Sequence, residues 1–301
     1  MLASLPPPPR RHVPAELELA SLPALTGCYD ELATRPLPPG DLWALERWLH
    51  DWSELEALLH EEQTRREIAM NCHTDDPARL AAYLDWIDRV APPCKPLRDR
   101  LARRLVAHPG AAALAPDRHA CMLRELASQV ALYRDEIVPL EAAELRLCAE
   151  HQTLRGDMQA EFAGQLCTLE ALEAEEEYPD SARREAAWRS LSARFLAEKP
   201  ALDDLLDRLL DLRFAQAAAA GCTDYRDYRF RKLGRLDYSP ADCLAFHAAI
   251  EAAVVPLASE LLARRAAALG QPTMRPWDLL APLPGEAPLR PFANEAALVA
   301  G

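Results

Sequence analysis

The sequence predicts an all-α protein, a multi-helix lobe with one short β-hairpin near residues 156–168. Three observations carry the prediction. Half of the 301 residues are hydrophobic but only 6% are aromatic, and the dominance of Ala, Leu, Glu and Arg favours helix over strand. The 26 prolines far outnumber the 10 glycines, and they fall at the ends of apolar-periodic segments, where proline punctuates helices. Within those segments apolar residues recur at three- and four-residue steps, the spacing of one helix face.

Residues 1–14 read as a disordered, proline-rich leader, because Pro6 to Pro9 favour polyproline II over helix. Residues 15–155 read as an N-terminal helical region. Asp41 is placed to cap a long helix carrying Leu42, Leu45, Leu49, Trp52 and Leu59 and running to about Met70. A second helix starts at Thr74-Asp75-Asp76-Pro77 and should be stopped by Pro92 and Pro93. A third covers Lys95 to Ala107, and a fourth runs from about Asp117 towards Pro139, which should end or kink it. From Leu140 to His151 the period is again helical.

The helical pattern lapses over Gly156 to Thr168, where Met158, Ala160 and Phe162 alternate with polar residues as in a hairpin strand. Helices resume at Leu169, break at Tyr178-Pro179-Asp180, and restart behind Asp180 and Ser181. Pro200 should open a separate helix, closed by Gly221 as a left-handed cap. Ser239-Pro240 starts the next, which should reach Leu269 with Pro256 inside it. Residues 293–301 look like the start of a further helix behind Asn294, cut off after about two turns.

The net charge of −13 repels phosphate backbones, and no segregated basic patch offsets it, so nucleic acid is an unsuitable partner. The eight cysteines form no C-x-x-C pair, which removes zinc-ribbon and thioredoxin-type motifs and leaves small apolar residues. The opening MLASLPPPPRR has no apolar signal core, and no apolar stretch reaches the ~20 residues of a membrane span. The expected address is cytoplasmic, with no membrane partner.

From Glu176 to Phe292 the chain resembles the thimet oligopeptidase and oligoendopeptidase F family of zinc metallopeptidases. The pieces that carry the likeness are EEYPDSARREAAWR, LLDLRFAQAAAAGCTDYRDYRF, DYSPADCLAFHAAIEAAVVPLASELLARRAAALG, MRPWDL and PLRPF, in that order. The resemblance implies that residues 156–292 are an oligopeptidase-like helical region in one lobe of a two-lobed zinc oligopeptidase. It also implies short peptides as substrates and zinc as the cofactor of a complete member.

Such peptidases place H-E-x-x-H on one helix, so that two imidazoles at i and i+4 share the ion and the Glu takes the proton of the bound water. Here His60-Glu61-Glu62-Gln63 starts the pattern, but Thr64 stands in the fifth position. No other histidine has a second within three to five residues, and His247 with Glu251 reads as an ordinary i, i+4 pair. No residue is therefore assigned as catalytic or metal-binding.

The polar-aromatic groups that line a channel or fix its geometry under the resemblance are Tyr225, Arg226, Asp227, Tyr228, Trp277 and Asp278. The competing reading of the same residues is a structural corner in which Asp caps a helix and the rings pack. Two functions follow: the N-terminal portion of a zinc oligoendopeptidase, inactive alone, whose C-terminal half is either lost or encoded separately and associates with it, or a non-catalytic helical scaffold that binds peptides or a partner.

Overall fold

A computed structural model describes residues 10–285 and 291–300. The chain opens with a helix absent from the sequence reading, α1 (Leu22–Thr34), which buries Leu25, Tyr29 and Leu32. Helix α2 (Leu42–Asn71) begins as expected, with the Asp41 side chain accepting from the Ala44 N–H at 2.9 Å. Its inward stripe is Leu45, Trp48, Leu49, Trp52, Leu55 and Leu59.

Asp76 caps α3 (Pro77–Asp85) by accepting from Ala78 and Arg79. Pro92 and Pro93 do not stop this helix. A π-helical segment at Trp86–Val90 shifts the hydrogen-bond register, so that the prolines stand in the first turn of α4 (Ala91–Val106), where no N–H is required. Pro139 is likewise not a terminator. Helix α5 (Pro116–Leu132) ends earlier, and Pro139 occupies the first turn of α6 (Ile137–Gly156).

The hairpin forms: β1 (Gln159–Phe162) pairs antiparallel with β2 (Gln165–Thr168). Ala163 and Gly164 turn the corner with φ of 50° and 79°, the positive dihedrals that a two-residue hairpin loop demands. After α7 (Leu169–Glu175) comes α8, which runs unbroken over the 39 residues Ser181–Ala219. Pro200, expected to open a new helix, sits inside it on an exposed surface where water can serve the carbonyl that loses its donor. Gly221 closes α8 with φ of 71°, its N–H on Ala218 and that of Cys222 on Ala217.

Then follow α9 (Tyr225–Lys232), α10 (Pro240–Ala268) with Pro256 within it, and α11 (Glu295–Ala300). Asn294 caps α11 by accepting from Ala297 at 2.9 Å.

The chain divides into two compact units, Met1–Asp157 with Asp203–Ser239, and Met158–Leu202 with Pro240–Gly301. The first is organised around a continuous core of Trp48, Leu55, Trp86, Ile87, Leu101 and Leu105. The leader reading fails for the part described. Residues 1–9 lie outside the described residues, but Val13 is buried, and the backbone N–H groups of Arg11, His12 and Val13 all donate to the Glu54 carboxylate. In the second unit Met158, Leu169, Leu172, Ala187 and Ala281 are buried, whereas Ala266 is the one buried residue of α10.

Candidate functional site

The sequence-predicted residues fall into both units. Tyr225, Arg226, Asp227 and Tyr228 open α9 in the first. The helix starts there because Asp224 turns its side chain onto the Asp227 N–H at 2.7 Å, so the capping residue is Asp224 and not Asp227. The Tyr225 and Tyr228 rings lie 6.0 Å apart, with the Arg213 guanidinium 5.6 Å from the Tyr225 centroid. Tyr228 is buried, and burial pushes its phenol up to about 12. Arg226 is exposed and lies 3.5 Å from Asp224.

Trp277 and Asp278 belong to the second unit, in a 3-10 turn at Pro276–Asp278. Asp278 is fully buried against the equally enclosed Arg184, whose Nη2 donates to Asp278 Oδ1 at 2.6 Å. The rest of that guanidinium donates to the Trp277 carbonyl at 3.0 Å and to the Tyr178 and Pro179 carbonyls at 2.8 Å each. Trp277 packs on Trp188 with centroids 5.3 Å apart. Arg184 thus ties the Tyr178-Pro179 corner to the RPWD turn. With no exposed atom, Asp278 can hold this joint but cannot itself touch a peptide.

A second constellation, not foreseen in the sequence, lies between α4, α6 and α9 of the first unit. Lys95 and Lys232 both donate to the Glu141 carboxylate, and the Tyr228 hydroxyl lies 3.3 Å from it. Next to them Arg98 donates through Nε to Glu56 at 2.6 Å, a carboxylate that also accepts from Tyr29 at 2.8 Å and Trp52 at 3.0 Å. Glu144 accepts from Arg213 and Gln216, each at 2.9 Å. Burial and the neighbouring cation Arg98 push the Lys95 ammonium down to about 8. Burial, then Lys95 and Arg98, do the same to Lys232, also to about 8. The contributors are 46 and 91 residues away from Glu141 in sequence, so only mixed charge on otherwise apolar helix faces hinted at them.

The residues present do not fit zinc. His60 is exposed, Glu61 accepts from Arg65 at 2.9 Å, and Glu62 accepts from Arg66 at 2.8 Å, so the start of the motif is an exposed face stitched by i, i+4 pairs. Among the described residues no three His, Cys, Asp or Glu side chains are grouped to hold a metal.

Residues 175–298 match the model of peptidase family M3. Among curated proteins no sequence match is found. Solved structures share the fold. An X-ray structure described as an oligoendopeptidase F aligns with a TM-score of 0.79 at 22% identity, over 88% of this chain and 46% of its own. One described as an oligoendopeptidase F from Bacillus anthracis str. Ames aligns at 0.78 and 17%, over 90% and 49%. PZ peptidase A with an inhibitor aligns at 0.76 and 22%, over 87% and 47%. The chain therefore spans about half the length of the solved proteins it resembles. Residues 175–298 thus carry the pattern of peptidase family M3, and the fold along most of the chain is the one seen in the solved oligoendopeptidases.

Proposed function

We propose that these residues are the helical scaffold portion of a zinc-dependent oligoendopeptidase acting on short peptides, that alone they do not hydrolyse them, and that residues bearing H-E-x-x-H outside these 301 complete the site. The observation that carries this reading is the family match over residues 175–298 in a chain whose 301 residues contain no H-E-x-x-H. The exposed face of α10 supports it. Leu244, Phe246, Val254, Leu257 and Leu261 are each at least half exposed, an apolar surface that a soluble fold normally covers with further protein. Under this reading Arg226, the exposed member of the predicted set, is the one best placed to meet a peptide, and the working compartment is the cytoplasm.

The same helix supports a membrane reading less well. Against the expectation that no stretch would be, α10 is long and apolar enough to cross a bilayer by length and composition. Its span lies inside the peptidase match, which favours a protein covering. The alternative function is a non-catalytic helical scaffold that binds peptides or a partner.

The test uses an internally quenched peptide with added zinc. The purified chain should show no chelator-sensitive turnover, and addition of a polypeptide bearing H-E-x-x-H should produce it. Chelator-sensitive cleavage by the chain alone would overturn the proposal, while zinc-independent peptide binding without complementation would favour the scaffold.

A further inference from the structure

The charges between α4, α6 and α9 do not balance. Arg98 is matched by Glu56, and Glu144 is held by Arg213 and Gln216. That leaves Lys95 and Lys232 sharing the single carboxylate of Glu141. The three groups are half-sheltered, with side-chain exposures of 22%, 37% and 15%, so solvent only partly screens the extra positive charge. Arg229 adds a further cation with no ion-pair partner among the described residues, on the same helix as Lys232.

The surrounding space is already open. A cavity of about 270 Å³ and another of about 560 Å³ flank the cluster, and Lys95, Arg98, Glu141 and Lys232 line both. The smaller is walled by Tyr133, Ile137 and Tyr228, and the larger by Trp86, Ile87 and Leu145. Cations therefore converge at the junction of two partly apolar spaces, in a protein whose net charge is −13. Only a specific site makes such a protein attractive to an anion.

We propose that this junction is a binding site for a small oxyanion, a carboxylate or a phosphate, which inserts between Lys95 and Lys232 and takes one of them from Glu141. Each ammonium has three donors, so both can hold the ligand while one keeps Glu141. The apolar walls accept whatever short chain the anion carries. The inference does not depend on peptide hydrolysis, since its contributors lie in the first unit and outside the residues matched to the peptidase family, except Lys232 and its helix.

Calorimetric titration of the full chain at neutral pH tests it with three probes: inorganic phosphate, N-acetyl-dialanine as the free acid, and the same peptide as its amide. The acid or phosphate should bind saturably and the amide should not, and the stronger of the two anions identifies the source. Lys95→Gln and Lys232→Gln should each weaken binding about tenfold, the loss of one charge-assisted contact. Glu141→Gln should strengthen it several-fold, because it removes the competing carboxylate.

That opposite sign separates a ligand site from an internal brace, for which all three substitutions would act in the same direction. Circular dichroism shows whether a variant folds. Should Lys95→Gln not fold, the more exposed Lys232→Gln carries the comparison. No saturable binding of either anion, equal binding of the amide, or weaker binding in Glu141→Gln would overturn the proposal.

Discussion

Within the first unit Trp48, Leu55, Leu101 and Leu105 are fully enclosed, so its core excludes water by apolar packing between several helices. Within the second, the enclosed residues include a charged pair, Arg184 with Asp278, and its longest complete helix leaves Phe246 and Leu257 in solvent at 64% and 56% exposure. An apolar core tolerates loss of volume in proportion to the cavity left behind. A buried ion pair is different, since removing one partner leaves an uncompensated charge out of water. The first unit is thus held chiefly by apolar packing, while the second combines a smaller set of buried apolar residues with a buried ion pair and an apolar helix left in solvent.

Substitutions in the two cores should break this comparison most strongly. Arg184→Met leaves Asp278 buried without its cation, and the Tyr178, Pro179 and Trp277 carbonyls lose their donor. A loss of about 3–5 kcal/mol is expected for the charge alone. Asp278→Leu in the same chain should recover only part of it, because the three carbonyls stay unpaired. Leu55→Ala should cost about 2–5 kcal/mol in the first unit. Hydrogen exchange resolved along the chain is the measurement. Arg184→Met should raise exchange around the RPWD turn and leave α2 protected, and Leu55→Ala should do the reverse. Loss of protection throughout the chain in both variants would show that the units unfold as one.

Polar substitutions on α10 sharpen the other half of the contrast. Leu257→Gln with Leu261→Gln should change unfolding free energy by no more than about 0.5 kcal/mol, the usual range for surface sites. The same pair should reduce self-association in sedimentation velocity and weaken any complementation by an H-E-x-x-H polypeptide. A loss of several kcal/mol would mean that these side chains are buried in solution.

Much of this fold was legible because its signals are local. Asp41, Asp76, Asp180 and Asn294 act at the helix starts where the sequence puts them, and Gly221 closes α8 with the positive φ expected of it. The misread prolines share one cause. A proline excludes an N–H donor from one position, but whether that position is a first turn, as at Pro92 and Pro139, or a solvent-facing interior, as at Pro200, depends on neighbours distant in sequence. Helix α1 has no capping side chain to announce it, and its Pro23 sits in the first turn, where proline costs no hydrogen bond. The ion clusters were illegible for a stronger reason. Arg184 meets Asp278 across 94 residues, and Lys232 meets Glu141 across 91, a pairing that no local pattern encodes.

The smallest expected effect concerns the anchoring of residues 10–13 to the first unit. Burial alone would raise the Glu54 carboxyl, but the three N–H donors from Val13, Arg11 and His12 outweigh it and hold the group below its ordinary value of 4.5. A carboxylate with a depressed folded value binds fewer protons in the native chain. Its contribution is therefore complete above the ordinary value and is lost as pH falls through the folded one. Detachment of this segment should begin below pH 4.5 and precede global acid unfolding. At neutral pH Glu54→Gln should mimic it, by exchanging a charged acceptor for a neutral one. Limited trypsin digestion reads the result directly, since Arg10 and Arg11 lie within the segment. Cleavage there should be faster in Glu54→Gln than in the parent, with α2 intact in both. Equal rates would mean that Val13, buried in the apolar core, anchors the segment without help from the carboxylate.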